Sequence, residues 1–370
     1  MALYRKSDLN LFKVSPQLKQ KDLHRKFKMM LWPSLKPQRK VLTSWIKGFN
    51  RKEDIVTEFQ KSFHSSFWEF YLHAVFKQLK FNVDYSFTTP DFVVTSPCPL
   101  IIEATTSNVK LNGRHESKRG FSDFRSMLDP PHLRKDFKRT MNEGIIRNAS
   151  ALLSKNLKFQ SSYSKNEKLD TKAPYIIALG SYSQVNYGRE YYYSIVALLY
   201  GFYYRPKANE YCIINEIKKG NSNIPLDVFS SPEYKNVSAV LFSCSVTFGK
   251  LTSLAISSGM KTGKDVLIVR HLYDKDFYQI QNVTAKNQES LTDGLFLLHN
   301  PNAKIKLSTE IFSKSDIIQV NLEDNFLVFS GGQSAAIAAR LDTPKRLWSK
   351  SIKIRVMKET YVRFNSNKVL

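Results

Sequence analysis

The sequence predicts an α/β fold whose second half is richer in strands. Three observations support this class. An amphipathic helical stretch over 53–80 precedes two short apolar runs and a second helical stretch over 136–159. Strand-like apolar runs dominate after about residue 205. The chain has 370 residues, 42% of them hydrophobic, which is enough to build a sizeable core.

The first helix is predicted from apolar residues that recur at intervals of three and four positions. These residues are Ile55, Phe59, Phe63, Phe67, Phe70, Ala74 and Leu79. Glu58 and Glu69 lie eleven positions apart, about three helical turns, so they point the same way. We therefore expect one long helix with Glu69 on a polar face.

Strands and helices alternate through the next part of the chain. Two strands are predicted at about 90–95 and 99–105, joined by "TSPCP". A helix over 136–159 follows, then a buried strand over 173–182 and an aromatic-rich helix over 189–204. Six strand-like segments follow: "EYCIINEI", "NVSAVLFSCSV", "DVLIVRHLY", "GLFLLHN", "IIQVNLEDNFLVFSGG" and "KIRVMKETYVRF".

These patterns divide the chain into three parts. We predict a basic N-terminal arm over 1–52, an α/β core over 53–205 and a strand-rich region over 206–370. The arm either lies on the body of the protein or reaches out to a ligand.

The charge balance predicts a polyanionic partner. The formal net charge is +24, and the arm alone holds 14 Lys and Arg against two Asp. A basic field concentrates nucleic acid, the commonest polyanion. The alternatives are a basic surface that only maintains solubility and an acidic partner protein. The arm residues chosen as candidate phosphate contacts are Arg5, Lys6, Arg25, Lys26, Lys28, Arg39 and Lys40.

Cysteine usage and hydropathy predict a cytoplasmic protein without a membrane partner. Cys98, Cys212 and Cys244 are far apart and form no CxxC pair, which is typical of a reducing compartment. The sequence shows no apolar signal segment and no apolar run of roughly 20 residues.

Two carboxylates flank the predicted hairpin. Asp91 follows Pro90 at the first strand, and Glu103 follows the buried run "LII" in the second. Glu69, on the preceding helix, is placed to reach the same point. Converging carboxylates repel each other unless a cation joins them. Mg²⁺ or Mn²⁺ takes carboxylate, water and phosphate oxygens as ligands and activates water against a phosphodiester.

At these residues the chain resembles the PD-(D/E)XK nuclease superfamily, which has a restriction-endonuclease-like fold. The matching residues are Pro90-Asp91, Glu103-Ala104-Thr105 and the helical Glu69. The resemblance implies a central mixed sheet flanked by helices. It also implies metal binding by Glu69, Asp91 and Glu103, and hydrolysis of nucleic acid.

The chain departs from the superfamily pattern at Thr105, where a Lys is usual. The superfamily tolerates migration of this Lys to a neighbouring element, and Lys155 on the following helix is our candidate. Lys158 and Gln160 are neighbours that could contact phosphate or the metal-bound water. Lys110 is a second candidate for the missing cation.

A second resemblance covers about 41–307. The chain is similar to an uncharacterised bacterial family often labelled as containing a glycosaminoglycan attachment site. It implies that the Glu-Ala-Thr form and Lys155 belong to a shared pattern, but it supplies no reaction. The segments that carry it are "VTEFQKSFHSSFWEFYLHAVFKQL", "PDFVV", "IIEATTSN", "NASALLSK", "APYIIAL", "VALLYG", "NVSAVLFS", "TFGKL" and "HNPNAKIKL".

We therefore expect a metal-dependent nuclease acting on DNA or RNA, by analogy in defence against phage or mobile DNA. The alternatives are a catalytically degenerate nuclease fold that binds nucleic acid, for which Thr105 argues, and a scaffold. A homodimer and an activating partner are further expectations.

Overall fold

The computed structural model describes residues 10–50, 54–109, 114, 118, 130–272, 277–332, 335–347 and 349–366. Three residues chosen from the sequence, Arg5, Lys6 and Lys110, lie outside these ranges.

The helices and strands of the described residues are numbered here in chain order. The helices are α1 (Arg25–Met30), α2 (Lys36–Ile46), α3 (Ile55–Lys61), α4 (Phe63–Gln78), α5 (Phe137–Ser161), α6 (Tyr193–Tyr200), α7 (Phe248–Ser257) and α8 (Lys350–Ser366). The strands are β1 (Asn82–Asp84), β2 (Phe92–Ser96), β3 (Leu100–Asn108), β4 (Tyr175–Tyr182), β5 (Phe202–Arg205), β6 (Glu210–Ile213), β7 (Glu216–Lys219), β8 (Ser222–Pro225), β9 (Val237–Ser243), β10 (Lys264–Leu272), β11 (Phe277–Asn282), β12 (Phe296–His299), β13 (Ile318–Glu323), β14 (Phe326–Gly331) and β15 (Ala335–Pro344).

An eight-stranded mixed sheet forms the centre of the molecule. Its strand order is β1-β2-β3-β4-β9-β12-β13-β14. β1, β2 and β3 are antiparallel neighbours, whereas β4 runs parallel to β3 and β9 parallel to β4. Helices flank this sheet, so the predicted α/β class is confirmed. β10, β11 and β15 form a separate three-stranded antiparallel sheet.

α4 and α5 cover opposite faces of the central sheet. Successive residues of a strand point to opposite faces. Ile101 of β3 belongs to the buried cluster that includes α5, whereas Ile102 belongs to the cluster that includes α4. α5 presents one apolar stripe to the sheet: Phe137, Met141, Ile145, Leu152 and Phe159 are buried at helical spacing. The predicted helix over 136–159 is therefore confirmed.

The stretch over 53–80 is two helices, not the predicted single helix. α3 ends where Ser62 donates its N–H to the carbonyl oxygen of Glu58, and α4 begins at Phe63. The side chain of Gln60 is buried and donates to the carbonyl oxygens of Leu11 and Lys13. These contacts tie α3 to the N-terminal segment, a tertiary constraint that helical periodicity does not contain.

Two other element predictions were wrong. The helix predicted over 189–204 is limited to α6, because Gly201 adopts a left-handed φ of 76° and ends it. The segment 353–364 was predicted as a strand and lies within α8. There Lys353 and Met357 are both buried at a four-residue interval, which is helical spacing.

The predicted parts of the chain are closely joined. The described part of the arm lies on the body, where Phe27, Leu42 and Trp45 are buried in the cluster that includes α4. The central sheet takes β1 to β4 from before residue 205 and β9, β12, β13 and β14 from after it. No helix among the described residues has the length and apolar character needed to cross a membrane.

Candidate functional site

Strand pairing brings Asp91 and Glu103 together. β2 pairs with β3 so that Phe92 lies opposite Ile102. Asp91, one residue before Phe92, therefore lies beside Glu103. The Asp91 N–H donates to Glu103 Oε2 at 3.3 Å, and the Ala104 N–H donates to Asp91 Oδ2 at 2.8 Å. Both carboxylates are thus positioned by backbone groups of the two strands.

α5 adds two ammonium groups to Glu103. Lys155 Nζ donates to Glu103 Oε1 at 2.7 Å, and Lys158 Nζ donates to the same oxygen at 2.9 Å. The two lysines lie three positions apart, so they share one side of the helix. Thr105 lies two residues after Glu103 and therefore on the same face of β3. The helix thus supplies cations on the face where the motif places its Lys.

Tyr163, which the sequence interpretation did not select, completes the surroundings of Glu103. It lies in the 3₁₀ turn Tyr163–Lys165 after α5, and its hydroxyl donates to Glu103 Oε2 at 2.7 Å. Tyr175 of β4 donates its hydroxyl to the backbone carbonyl of Lys155 at 3.0 Å and supports this end of α5. A buried Tyr needs a polar partner for its hydroxyl, but sequence alone does not say which one.

The electrostatics of Glu103 are set by its burial and its cations. Its side chain is 1% exposed. Burial alone would raise the pKa of Glu103, but the charge of Lys155 and hydrogen bonds from Lys155, Lys158 and Tyr163 outweigh it and hold the pKa below its usual value. Burial, together with the adjacent Glu103 carboxylate, raises the pKa of Tyr163, so this phenol remains a donor.

Asp91 and Glu103 offer two carboxylates as possible ligands for a divalent cation. Mg²⁺ commonly uses one or two carboxylates and completes its shell with water and phosphate oxygens. In the structure, however, Glu103 accepts four hydrogen bonds, two on each oxygen. One ammonium must leave Oε1 before a cation can approach it. The Lys158 side chain, 37% exposed, has more freedom to do so than the Lys155 side chain, 22% exposed.

Glu69 does not join this pair. It lies on α4, the helix on the other face of the sheet from α5. Within the described part of the chain, no three His, Cys, Asp or Glu side chains form a group that could hold a metal ion. The structure therefore brings together Asp91, Glu103, Lys155 and Lys158 and leaves Glu69 apart.

Gln160 also points elsewhere. Its Nε2 donates to the backbone carbonyl of Glu233 at 2.9 Å, and Asn156 Nδ2 donates to the same oxygen at 3.0 Å. These two side chains attach the end of α5 to the turn Pro232–Tyr234. In this arrangement Gln160 contributes to the position of the lysines and not to a phosphate contact.

The basic residues of the arm fall into two groups. Lys26 is buried, with its ammonium 4.9 Å from the ring centroids of both Tyr187 and Phe248. Arg39 donates to the backbone carbonyls of Met30 and Trp32. Both cations therefore serve internal packing. The other three described candidates reach solvent: Arg25 and Lys40 are exposed, and Lys28 is half-buried.

Comparisons with known proteins give no relative for this chain: no family model, no curated protein and no solved structure matches it. The candidate site is therefore defined by geometry alone, through Asp91, Glu103, Lys155, Lys158 and Tyr163.

Proposed function

We propose that the chain is a Mg²⁺- or Mn²⁺-dependent nuclease that hydrolyses phosphodiester bonds, with DNA as the first substrate to test. One observation carries this proposal. Lys155 Nζ lies 2.7 Å from the carboxylate of Glu103, on the strand face where Thr105 replaces the motif Lys. The order of α4, β1 to β3, α5 and β4 along the chain supports it, because the resemblance to PD-(D/E)XK nucleases implies this order.

In this proposal each side chain has a distinct task. Asp91 and Glu103 hold the metal ion, which when bound supplies an activated water and neutralises charge on the phosphate. Lys155 stabilises the additional negative charge of the transition state. Tyr163 keeps the Glu103 carboxylate in one orientation through its 2.7 Å hydrogen bond. Lys158, more exposed than Lys155, would be the ammonium that leaves Glu103 if the carboxylate held a metal ion, and it would then be free to contact the substrate phosphate.

A second candidate function is nucleic-acid binding without hydrolysis. The complete bonding of Glu103 favours it, because a buried carboxylate with four donors needs no further cation. The same acids and lysines would then stabilise the fold, and the net charge of +24 would provide binding.

A cleavage assay separates the two candidates. Plasmid DNA, single-stranded DNA and RNA are incubated with Mg²⁺, Mn²⁺ or EDTA and with wild type, Asp91→Ala, Glu103→Ala or Lys155→Ala. Lys172→Ala is the matched control, since Lys172 is exposed and distant in sequence from the acids. The nuclease proposal expects metal-dependent cutting that the first two variants lose and that Lys155→Ala lowers by roughly 10²–10³-fold.

Two results contradict the nuclease proposal in different ways. Full activity of Glu103→Ala would show that the site around Glu103 does not take part in the reaction. If wild type binds nucleic acid in a salt-sensitive manner but cuts none of the substrates, the second candidate is favoured.

A further inference from the structure

A second polar cavity lies beyond the carboxyl ends of β3 and β4. Its volume is about 230 Å³, and Ser183 and Gln184, which follow β4 directly, line it together with four arginines and one carboxylate, Glu143. Open α/β sheets bind ligands in the crevice outside the carboxyl ends of parallel strands. The cavity is smaller than the roughly 300–1,000 Å³ of sites for drug-sized ligands, so it suits a small group.

The arginines around this cavity are Arg114, Arg139, Arg147 and Arg189, and they are not equally paired. Arg114 donates to the backbone carbonyl of Lys118 at 2.7 Å. Arg139 forms ion pairs with Asp136 and Glu143, and the NH2 of Arg189 lies 3.0 Å from Asp136 Oδ1. No ion pair or hydrogen bond joins Arg147, which is half-buried, to any residue that the structure describes. The buried Nε of Arg189 also lacks a partner there. Guanidinium donors therefore remain available at this cavity.

A buried polar network lies behind the cavity wall. Ser183 donates its hydroxyl to Glu190 Oε1 at 3.3 Å, and Ser181 donates to the same oxygen at 2.5 Å. Glu190 is fully buried, and burial raises its pKa to about 7. Below this pH the carboxyl group is mostly protonated, so it repels an anion in the cavity less than an ionised carboxylate would. The Gln184 amide and the guanidinium groups can donate to such an anion.

The cavity and the carboxylate site lie along the same helix. Arg147 and Lys158 are eleven residues apart on α5, just over three turns, so they project from the same side about 16 Å apart. At about 3.4 Å per nucleotide step in a stacked strand, this distance corresponds to roughly four or five nucleotides. One bound strand can therefore reach both places.

We propose that this cavity binds one phosphate group of the nucleic-acid strand whose scissile phosphate lies at Glu103. The inference rests on the proposed function, because the bound nucleic-acid strand is the substrate of the proposed nuclease. Arg147 provides the charge-assisted bonds, and Arg189, held by Asp136, provides the second guanidinium. The phosphate is either internal to the strand or terminal, and a free nucleotide carries the same chemistry.

Binding measurements in EDTA test the cavity without any cleavage. Fluorescence anisotropy follows a labelled 12-nucleotide DNA with a 5′-phosphate, a 3′-phosphate or neither, and inorganic phosphate and dAMP serve as competitors. The proteins are wild type, Arg147→Gln, Arg147→Lys and the control Lys138→Gln, which removes an exposed charge from the same helix outside the cavity.

We expect Arg147→Gln to weaken binding about tenfold and to reduce the slope of log K against log salt by about 0.7, the value for one phosphate of a single strand. We expect Arg147→Lys to recover part of the loss and Lys138→Gln to stay within twofold of wild type. If Arg147→Gln loses affinity for only one phosphorylated DNA, and dAMP competes with that DNA, the cavity binds a terminal phosphate. If it loses the same affinity for all three DNAs, the cavity binds an internal phosphate.

Equal affinity and equal salt slope for Arg147→Gln and Lys138→Gln would overturn the proposal. The two proposals fail separately. If Arg147→Gln weakens binding but wild type cuts nothing, phosphate binding in the cavity is supported and the nuclease proposal is contradicted. If wild type cuts in a metal-dependent manner and Arg147→Gln binds as well as wild type, the nuclease proposal is supported and phosphate binding in the cavity is contradicted. Thermal melting of each variant verifies that it is folded.

Discussion

Lys155→Met tests whether the ammonium on α5 holds the charge of Glu103. Methionine keeps the length of the side chain and removes the ammonium that lies 2.7 Å from Glu103 Oε1. Breaking a buried ion pair costs about 3–5 kcal/mol, and a hydrogen bond to a charged group contributes about 1.5–3 kcal/mol. Lys158 Nζ remains 2.9 Å from Glu103 Oε1, and the Lys155 side chain is 22% exposed. The range for a single hydrogen bond to a charged group therefore applies. We expect a loss of about 2 kcal/mol at pH 7.5.

This loss corresponds to a measurable change in Tm. The entropy of unfolding is about 2.1 cal/mol/K per residue, or about 0.8 kcal/mol/K for the 370 residues. A loss of 2 kcal/mol should therefore lower Tm by about 2–3 °C. Differential scanning calorimetry resolves such a change, and Lys172→Met, at an exposed position, should stay within about 0.5 °C of wild type.

The pH dependence makes the test specific. The pKa of Glu103 is held below its usual value in the folded protein, so its contribution to stability is present above the unfolded pKa, about 4.3, and is lost as pH falls through the folded value. Without Lys155, only the hydrogen bonds from Lys158 and Tyr163 oppose the effect of burial, so the pKa of Glu103 is higher than in wild type. The difference in Tm between wild type and Lys155→Met should therefore be largest at pH 7.5 and should shrink toward pH 4. A difference that is equal at both pH values would refute the reasoning.

Two further predictions concern buried charges away from the proposed site. Lys250→Met should lower Tm by about 4–6 °C, because it removes the buried ammonium that lies 2.7 Å from Glu289 and a pair of this kind costs about 3–5 kcal/mol to break. Calorimetry beside Lys261→Met, an exposed control, measures this, and a change under 1 °C would contradict it. Glu190→Gln should gain stability relative to wild type as pH rises from 4.5 to 7, by up to about 3 kcal/mol, because the pKa of Glu190 is raised to about 7 by burial and its ionisation opposes folding. Parallel urea midpoints at several pH values verify this, and a constant difference would contradict it.

The elements that sequence predicted best are those whose own residues determine them. α5 combines apolar residues at helical spacing with helix-forming neighbours, and β4 is buried at all eight positions, so both patterns are local. Ser62 and Lys353 illustrate the opposite case. The break at Ser62 depends on contacts of Gln60 with distant backbone groups, and Lys353 is helical and buried with an ion-pair partner, Asp265, 88 positions away.

The candidate site also combines features that the local sequence determines with features that depend on distant contacts. Asp91 and Glu103 could be paired from the sequence, because adjacent strands joined by a short turn fix which residues face each other. The choice of Lys155 came from the resemblance, in which the motif Lys can move to a neighbouring element; that α5 covers the face of β3 with Glu103 is known from the structure. Glu69 could not be placed in this way, since helical periodicity gives a polar face but not the side of the sheet on which the helix packs. Tyr163 lies in a turn with no motif, so its contact with Glu103 is known only from the structure.

The continuity of the central sheet past residue 205 has a consequence for evolution and for protein engineering. β4, the last strand of the central sheet before residue 205, pairs with β9 through Tyr175 to Gly180. A fragment ending at residue 205 would convert a strand that is buried at every position into an exposed apolar edge, which is a template for aggregation. The four strands beyond β4 thus cover this edge of the part of the sheet that carries Asp91 and Glu103. A shorter chain that carried the acids and lysines of this site would need another element to cover this edge of β4.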